Sequence, residues 1–186
     1  MTDDTRPRWL TPEQEQAWLA LMSATIWLPA AVDAQLQRDA GLTHTEYVVL
    51  SWLSMSPGHT ARMSEIATSA NVTLSHLSRI ATRLERRGWM RRAPDPQDGR
   101  ATLASLTDAG WDKVVATAPG HVEEVQRLVF DNLTAEQVRQ LQQISETIAG
   151  AARPDHRLKL PSHSRHPQTA PSPAPHAVSG TRESLR

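Results

Sequence analysis

Residues 86–106 of the chain have the sequence RRGWMRRAPDPQDGRATLASL. This pattern predicts a helix end, a short strand, a tight turn that carries an arginine, and a second short strand. Just upstream, residues 64–79 have the sequence SEIATSANVTLSHLSR, which predicts a helix, a turn and a second helix. Helix-turn-helix units place their second helix in the major groove of DNA. A basic hairpin directly after such a unit favours an interface with duplex DNA.

The charges are distributed unevenly, although the formal net charge of the whole chain is zero. Residues 51–106 carry eight arginines and four acidic side chains, whereas residues 1–50 and 107–150 each carry three basic and seven acidic side chains. The middle segment is therefore locally positive between two acidic flanks. Since the local field is what attracts a polyanion, the zero net charge of the whole chain does not argue against nucleic-acid binding.

The composition excludes several classes of protein. The chain has no cysteine, so disulfides, thiolate zinc sites and cysteine redox sensing are excluded. The N-terminus lacks the basic start and apolar run of a signal peptide. We see no apolar stretch that approaches 18 residues, so we expect no membrane-spanning segment and a cytoplasmic protein. No metal or cofactor motif is present either, and the lack of a phosphate loop or nucleophile motif argues against an enzyme.

The helix boundaries are marked by capping boxes, in which a threonine and a Gln or Glu three residues later each accept a backbone N–H. The predicted pairs are Thr11 with Gln14, Thr43 with Glu46, and Thr134 with Gln137. Thr107 caps a further long helix that runs to about residue 130. Pro29 and Pro119 are expected to kink or split the helices that contain them.

Between these long helices the sequence predicts the DNA-binding elements. A short helix covers residues 63–69, and Thr73 caps a second helix that runs to residue 87. The predicted buried stripe of that second helix is Leu74, Leu77, Ile80, Ala81 and Leu84. Residues 89–93 and 102–106 are the only strands that we predict, with a turn over residues 94–99.

The fold class is therefore mainly α, a winged helix-turn-helix with a two-stranded β-hairpin as its wing. The N- and C-terminal helices carry more apolar side chains than a small winged domain could bury, which favours a dimerisation region formed by them. We divide the chain into an N-terminal arm (1–10), one domain (11–150) and a Pro/Ser/His-rich tail (151–186) expected to be disordered. Within the domain, residues 43–106 form the DNA-binding part, and residues 11–40 and 107–150 supply the dimerisation helices.

The candidate base contacts lie opposite the predicted stripe. Ser75, His76 and Arg79 occupy the N-terminal half of the second helix, the part that enters the major groove in such units. Arginine can bind guanine through two hydrogen bonds, and serine or histidine can reach base edges or phosphates. For an isolated helix, an ordinary solvated basic face would be the better interpretation, and the neighbouring hairpin reverses that order.

The predicted wing has its own candidate contacts. Gly99 permits a positive φ angle at the turn, and Arg100 would project from the tip, where a narrow minor groove attracts arginine. Asp98 is expected to hydrogen-bond the Arg100 guanidinium and hold its direction. Asp-Gly is also a common short hairpin turn, in which case Arg100 would be incidental.

These motifs together resemble the MarR family of bacterial transcription regulators. The resemblance covers about residues 10–150 and rests on SEIA at 64–67, LERRGW at 84–89, DPQDGR at 95–100 and LTDAG at 106–110. It implies a homodimer whose recognition helix enters the major groove and whose wing arginine enters the minor groove. By position, it assigns groove contacts to Ser75, His76 and Arg79, and a wing-tip contact to Arg100 held by Asp98. It also assigns phosphate contacts to Thr73 and Arg83.

The family often binds small aromatic or lipophilic anions between its dimerisation and DNA-binding regions. The resemblance therefore makes Trp27, His44, Tyr47 and Trp52 candidate ligand-binding residues, since they lie on the first two helices. Core packing is the competing interpretation for the tryptophans, and solvent exposure for His44.

Two hypotheses of function follow. The first is a dimeric, sequence-specific regulator, a repressor on an inverted-repeat operator that a small ligand relieves. The alternative is a protein-interaction module that keeps the winged scaffold without sequence-specific DNA binding. A third hypothesis, a small-molecule carrier or enzyme, rests only on the tryptophans.

Overall fold

The computed structural model describes residues 7–152 of the chain. Most of the predicted tail and the first six residues of the predicted arm lie outside the described residues. Residues 151 and 152, which we assigned to the tail, instead end the last helix.

The architecture is six helices and one small antiparallel sheet within the described part. The helices are α1 (Pro12–Ala40), α2 (His44–Met55), α3 (Met63–Ser69), α4 (Leu74–Arg86), α5 (Asp108–Leu128) and α6 (Ala135–Ala152), and the strands are β1 (Thr60–Arg62), β2 (Met90–Pro94) and β3 (Thr102–Leu106). Two single 3₁₀ turns, Pro57–His59 and Phe130–Asn132, connect neighbouring elements. The predicted fold class, a mainly helical winged helix-turn-helix, is confirmed.

The predicted caps form as hydrogen bonds. Thr11 and Thr43 each make both bonds of a capping box, and so does Thr134, whose N–H donates to Gln137. Gly41 ends α1 in the left-handed conformation. These local bonds satisfy backbone groups that a helix end leaves open, which is why the sequence predicted these boundaries closely.

One prediction about the elements, that the chain has only two strands, was wrong. A third strand, β1, pairs with β3 in the sheet order β1-β3-β2, with Thr60 opposite Ser105. Three residues are too short to show an alternating pattern, so only the tertiary pairing reveals them. Of the two outcomes expected at Pro29, a kink or a split, the split does not occur, because α1 continues for eleven residues beyond Pro29 to Ala40.

The membrane expectation also needs correction. By length and composition α1 is able to cross a membrane, because it contains an 18-residue window of mean hydropathy 1.4. Residues 16–32 carry no charged side chain, and only Val32, Gln35 and Leu36 of α1 are buried. One such helix near the N-terminus is weak evidence of a membrane span.

The hydrophobic core lies where the end of α1 meets α2, α3, α4, the sheet and the start of α5. Its largest fully buried side chains include Leu36, Leu50, Ile66, Leu77 and Leu84. Gly110 allows α5 to start close to the helix-to-strand corner, because a Cβ there would lie 2.0 Å from the carbonyl oxygen of Trp89. Thr107 joins the same corner, where its Oγ1 donates to the carbonyl oxygen of Gly88 at 2.6 Å. The core thus orients α4 and the hairpin relative to each other.

Candidate nucleic-acid interface

The first turn of α4 is set by its cap. Thr73 is the N-cap, and its Oγ1 accepts the backbone N–H of His76 at 3.2 Å. Leu77, Ile80, Ala81 and Leu84 are fully buried, as predicted. Leu74, predicted to belong to the same buried stripe, is instead 55% exposed. Helical spacing places it beside the stripe, but spacing cannot say where the covering elements end.

The three predicted groove contacts are all on the solvent side of α4. Ser75, His76 and Arg79 are exposed. Among residues 7–152, the side chains of these three make no hydrogen bond or ion pair. Because nothing within the described chain occupies them, their donors and acceptors are free for an external partner.

One flank of this free face is fixed to the hairpin by Arg92 of β2. Its Nε donates to Glu85 Oε2 at 3.0 Å, and its two terminal nitrogens donate to Ser78 Oγ at 3.2 Å and Thr82 Oγ1 at 3.1 Å. The hydrogen bond from Arg92 lowers the pKa of Glu85 below its ordinary value. Sequence analysis missed this role, because Arg92 is one of four arginines in residues 86–92 and only the fold shows which of them faces α4.

The other flank is fixed to α2 by Arg83. Its Nε donates to Glu46 Oε1 at 2.8 Å, and the Glu46 side chain is almost completely buried. Burial would raise the pKa of Glu46, but hydrogen bonds from Arg83 and the Thr43 backbone, with the charges of Arg83 and Arg87, lower it. Arg83, predicted as a phosphate contact, therefore has a structural partner as well, and its role toward DNA stays a prediction.

The turn of the hairpin is organised by Asp95, which sequence analysis did not select. Its Oδ1 accepts the backbone N–H of Gln97 at 2.9 Å, and its Oδ2 lies 2.7 Å from Nη2 of Arg62. The bond from Gln97 and the Arg62 guanidinium lower the pKa of the Asp95 carboxyl below its ordinary value. The carboxylate thus ties the turn to β1. The Asp-Pro start of the motif is typical of a turn in which aspartate binds its own backbone two residues on, and this signal could have found the residue.

At the tip, two expectations need correction. Asp98 Oδ1 accepts the backbone N–H of Arg100 at 3.2 Å, so it holds the backbone of Arg100 and not its guanidinium. Gly99 does not adopt a positive φ angle, although the turn closes through a bond from the Ala101 N–H to the Asp98 carbonyl oxygen at 2.8 Å. The exposed Arg100 guanidinium has no partner within residues 7–152.

Between the hairpin and the first turn of α4 lies an open cleft of about 440 Å³. Arg62, Arg92 and Arg100 contribute basic side chains to its lining. A second concavity of about 480 Å³ lies beneath the turn between α3 and α4. The surface that joins α4 to the hairpin is thus basic, concave and built on fixed elements, which suits a phosphate backbone with its exposed bases.

Comparison with known proteins identifies this arrangement. The family model described as the MarR family matches residues 42–102, which span α2, the helix-turn-helix, β2 and the hairpin turn. Sco3205, a MarR family transcriptional regulator from Streptomyces coelicolor solved in complex with DNA, is 42% identical. The match covers 85% of this chain and 98% of that one, with a TM-score of 0.78.

The chain belongs to the MarR family.

Two further relatives agree with this assignment. AbsC, a MarR family regulator from Streptomyces coelicolor, is 34% identical over 80% of this chain and 99% of its own, with a TM-score of 0.75. The uncharacterised HTH-type transcriptional regulator YdcH of Bacillus subtilis is 32% identical over 64% of this chain and 80% of its own.

The four ligand-binding candidates of this MarR-family chain occupy different environments. Trp27 is 69% exposed on α1, Tyr47 is buried, and Trp52 is partly buried against the core. The backbone N–H of His44 donates to Asp33 Oδ1 at 2.7 Å. Core packing, the competing interpretation for the tryptophans, thus describes Trp52 but not Trp27 in the single chain. A ligand role for any of the four stays a prediction.

His121 of α5, which sequence analysis did not select, lies beside two of these candidates. Its ring packs against that of Tyr47 at a tilt of 56°, with 4.7 Å between ring centroids. Burial and the nearby charge of His44 lower the pKa of His121. His121 Nδ1 and Gln35 Oε1 are buried without hydrogen-bond partners in the described chain. The junction of α1, α2 and α5 therefore holds unsatisfied polar atoms inside this MarR fold.

Proposed function

We propose that this protein is a homodimeric transcription regulator that binds an inverted-repeat site in duplex DNA. The observation that carries the proposal is the unpartnered face of Ser75, His76 and Arg79, which lies beside an unpartnered Arg100 on a braced hairpin. The DNA complex of Sco3205, a relative that matches most of this chain, supports it. The comparisons favour this function over an interaction module without DNA binding, because the matching relatives are transcriptional regulators.

Each candidate residue has a role that its chemistry suits. Arg79 would bind the O6 and N7 of guanine, while Ser75 and His76 contact base edges in the major groove. Thr73 and Arg83 would contact phosphates. Arg100 would enter the minor groove, where a narrow A·T tract concentrates negative potential. Asp98 would assist by holding the backbone from which Arg100 extends.

The dimer is proposed from the surfaces that the single chain leaves uncovered. The structure places no buried residue on α6, where Ile144 is 58% exposed. On α1, Leu19 and Trp27 are 60% and 69% exposed. Helices with such apolar faces need a covering partner, and a two-fold copy of the chain supplies one. Such a dimer would place its two recognition helices about 34 Å apart, one turn of DNA.

Repression, relief by a small aromatic or lipophilic ligand, and a cytoplasmic location complete the proposal. The relative IacR of Pseudomonas putida, 32% identical over 52% of this chain and 57% of its own, is named a transcriptional repressor. For the ligand, the polar junction around His121 and Gln35 is the supporting observation. No catalytic role is proposed for any residue.

The test is fluorescence anisotropy with duplex DNA from the region beside the protein's own gene, against scrambled DNA at the same salt concentration. We expect preference for the native duplex and a steep loss of affinity as salt rises, since phosphate contacts release counterions. Arg79→Ala is expected to cost about 1–3 kcal/mol of binding free energy. Arg127→Ala, an exposed arginine of α5 paired with Glu124, is the matched control and should bind normally. Equal affinity for native and scrambled DNA would contradict the proposal.

A further inference from the structure

The exposure of Leu74 sets it apart from every other large apolar residue near the proposed DNA interface. Between residues 56 and 114, all of which the structure describes, it is the only large apolar side chain that is exposed. The other exposed large apolar side chains lie before or after this segment, mostly on α1, α5 and α6. A partner copy on the terminal helices therefore accounts for most of that set and leaves Leu74 unexplained.

Leu74 occupies the ridge between the two concavities of this surface. It lines the cleft shared with Arg100 and Ser78, and it also lines the concavity beneath the helix-turn-helix turn, shared with Thr73 and Asn71. It directly precedes Ser75 in the chain. The cap at Thr73 fixes the start of α4, so the position of Leu74 relative to Ser75 is set by the helix itself.

A partner for this position must combine an apolar group with a strongly negative surround, because the cleft beside Leu74 is lined by three arginines, Arg62, Arg92 and Arg100, against one acidic residue, Asp98. Duplex DNA has this combination in its major groove, where the 5-methyl group of thymine is the apolar feature of the base edges. We propose that Leu74 is a specificity-determining residue that packs against a thymine 5-methyl group in each half of the operator. The inference rests on the proposed function, because it needs α4 in the major groove.

The test removes the methyl group and the leucine separately and together. The operator is first selected from a random duplex library with the full-length wild-type protein. Each symmetric pair of thymines is then replaced by deoxyuridine, which lacks only the 5-methyl group. Affinities are measured for wild type, Leu74→Ala and Leu74→Met. Leu74 is half exposed and both substitutes are good helix formers, so the variants should fold, which far-ultraviolet circular dichroism checks.

One thymine pair should be sensitive in the wild type, with a loss of about fourfold per half-site, the value of one buried methyl group. In Leu74→Ala the same deoxyuridine replacement should cost nothing further, because the contact is already gone. Leu74→Met should keep the sensitivity, since its side chain is still apolar. Such coupling between the thymine methyl group and residue 74 would show that the two are in contact. A substitution that only weakened overall DNA binding would leave the sensitivity to the methyl group unchanged.

Two results overturn the inference, and they are distinguishable. If the wild type selects an operator but no thymine pair couples to residue 74, the role of Leu74 is wrong and the proposed function stands. If the wild type selects no sequence, both the proposed function and the role of Leu74 fail.

Discussion

The DNA-binding half of the chain, residues 43–106, and its terminal helices, α1 and α6, are held in different ways. In the DNA-binding half, ion pairs connect elements that are distant in sequence, such as Arg83 with Glu46 and Arg62 with Asp95. On α6, the hydrogen bonds and the ion pair of Arg139 with Glu136 stay within the helix, and no residue is buried. One half is completed by its own contacts, whereas the terminal helices keep apolar surface for a partner. The DNA-binding half is thus stabilised within one chain, whereas the terminal helices need a partner to cover their apolar surface.

The largest effect is expected from a charge placed on the apolar surface of the terminal helices. Replacing Ile144 and Ile148, which are both about half exposed, by aspartate should convert the dimer to a monomer. Each aspartate would place an unpaired charge in the proposed apolar interface. Loss of paired binding should lower operator affinity by about a hundredfold or more. Analytical ultracentrifugation and anisotropy measure the two effects.

The control is Glu146→Ala, which changes an exposed polar residue of α6 between the two isoleucines. It should remain a dimer with normal affinity. A double variant that stays dimeric would show that α6 is not part of the interface.

Gly110→Ala should disturb the contact between the start of α5 and the corner that joins α4 to the hairpin. The added Cβ would lie 2.0 Å from the Trp89 carbonyl oxygen, a backbone atom that cannot move without shifting the hairpin. We expect a loss of about 1–3 kcal/mol in the free energy of unfolding, as for other overpacked sites. Urea denaturation measures it.

Gly150→Ala is the matched control, because a Cβ at Gly150 in α6 meets nothing within 4 Å. In the last turn of α6 that substitution should stabilise by no more than about 0.5–1 kcal/mol, the value for a helix interior. Equal responses of the two variants would mean that the junction is looser than the structure indicates.

Asp95→Ala tests whether DNA binding by the hairpin depends on the bonds that hold its turn. Loss of the carboxylate frees the turn from Gln97 and Arg62, so Arg100 should no longer be held near the groove. Operator affinity should fall about tenfold, close to the effect of Arg100→Ala, within the range for a specific arginine contact. Measured together, the two substitutions should cost little more than either alone, since both remove the same contact. Additive losses would instead assign Asp95 a role independent of the wing tip.

The smallest effect concerns pH at the junction of α1, α2 and α5. Burial and the charge of His44 lower the pKa of His121 in the folded chain, so the unfolded chain protonates first as the pH falls. The contribution of His121 to stability is therefore full above about pH 6.5, the ordinary histidine value, and declines as the pH falls through that value toward the folded pKa.

His121→Gln should flatten this part of the stability profile, measured by urea denaturation between neutral and mildly acidic pH. His76→Gln, a change at an exposed histidine of α4, should leave the slope as in the wild type. An unchanged slope in His121→Gln would remove His121 as its source.

Much of the fold could be predicted because its boundaries are local. The threonine caps at Thr11, Thr43, Thr73 and Thr107 bond to backbone within three residues. Helical spacing also predicted four of the five residues assigned to the buried stripe of α4 correctly, all except Leu74. The same local logic selected Ser75, His76 and Arg79 as the solvent face of α4, where the structure places them.

The errors at the wing tip, at Asp98 and Gly99, were local, whereas the others that concern the interface were tertiary. Strand β1 exists only because Thr60 finds Ser105 across 45 positions, and Arg92 and Asp95 brace the hairpin through partners that spacing cannot identify. Leu74 fits the buried pattern of α4 and is nevertheless exposed.

The sequence by itself therefore determined the class of the fold, the starts of its helices and the residues that face outward from α4, because these depend on bonds and periodicities within a few residues. Only the tertiary structure decided which arginines brace the wing and which remain free for DNA. Ion pairs such as Arg83 with Glu46 form between elements that are brought together by the core, and the identity of the partner depends on that packing. The tertiary structure also decided that Leu74 is exposed, since a side chain is buried only where another element covers it.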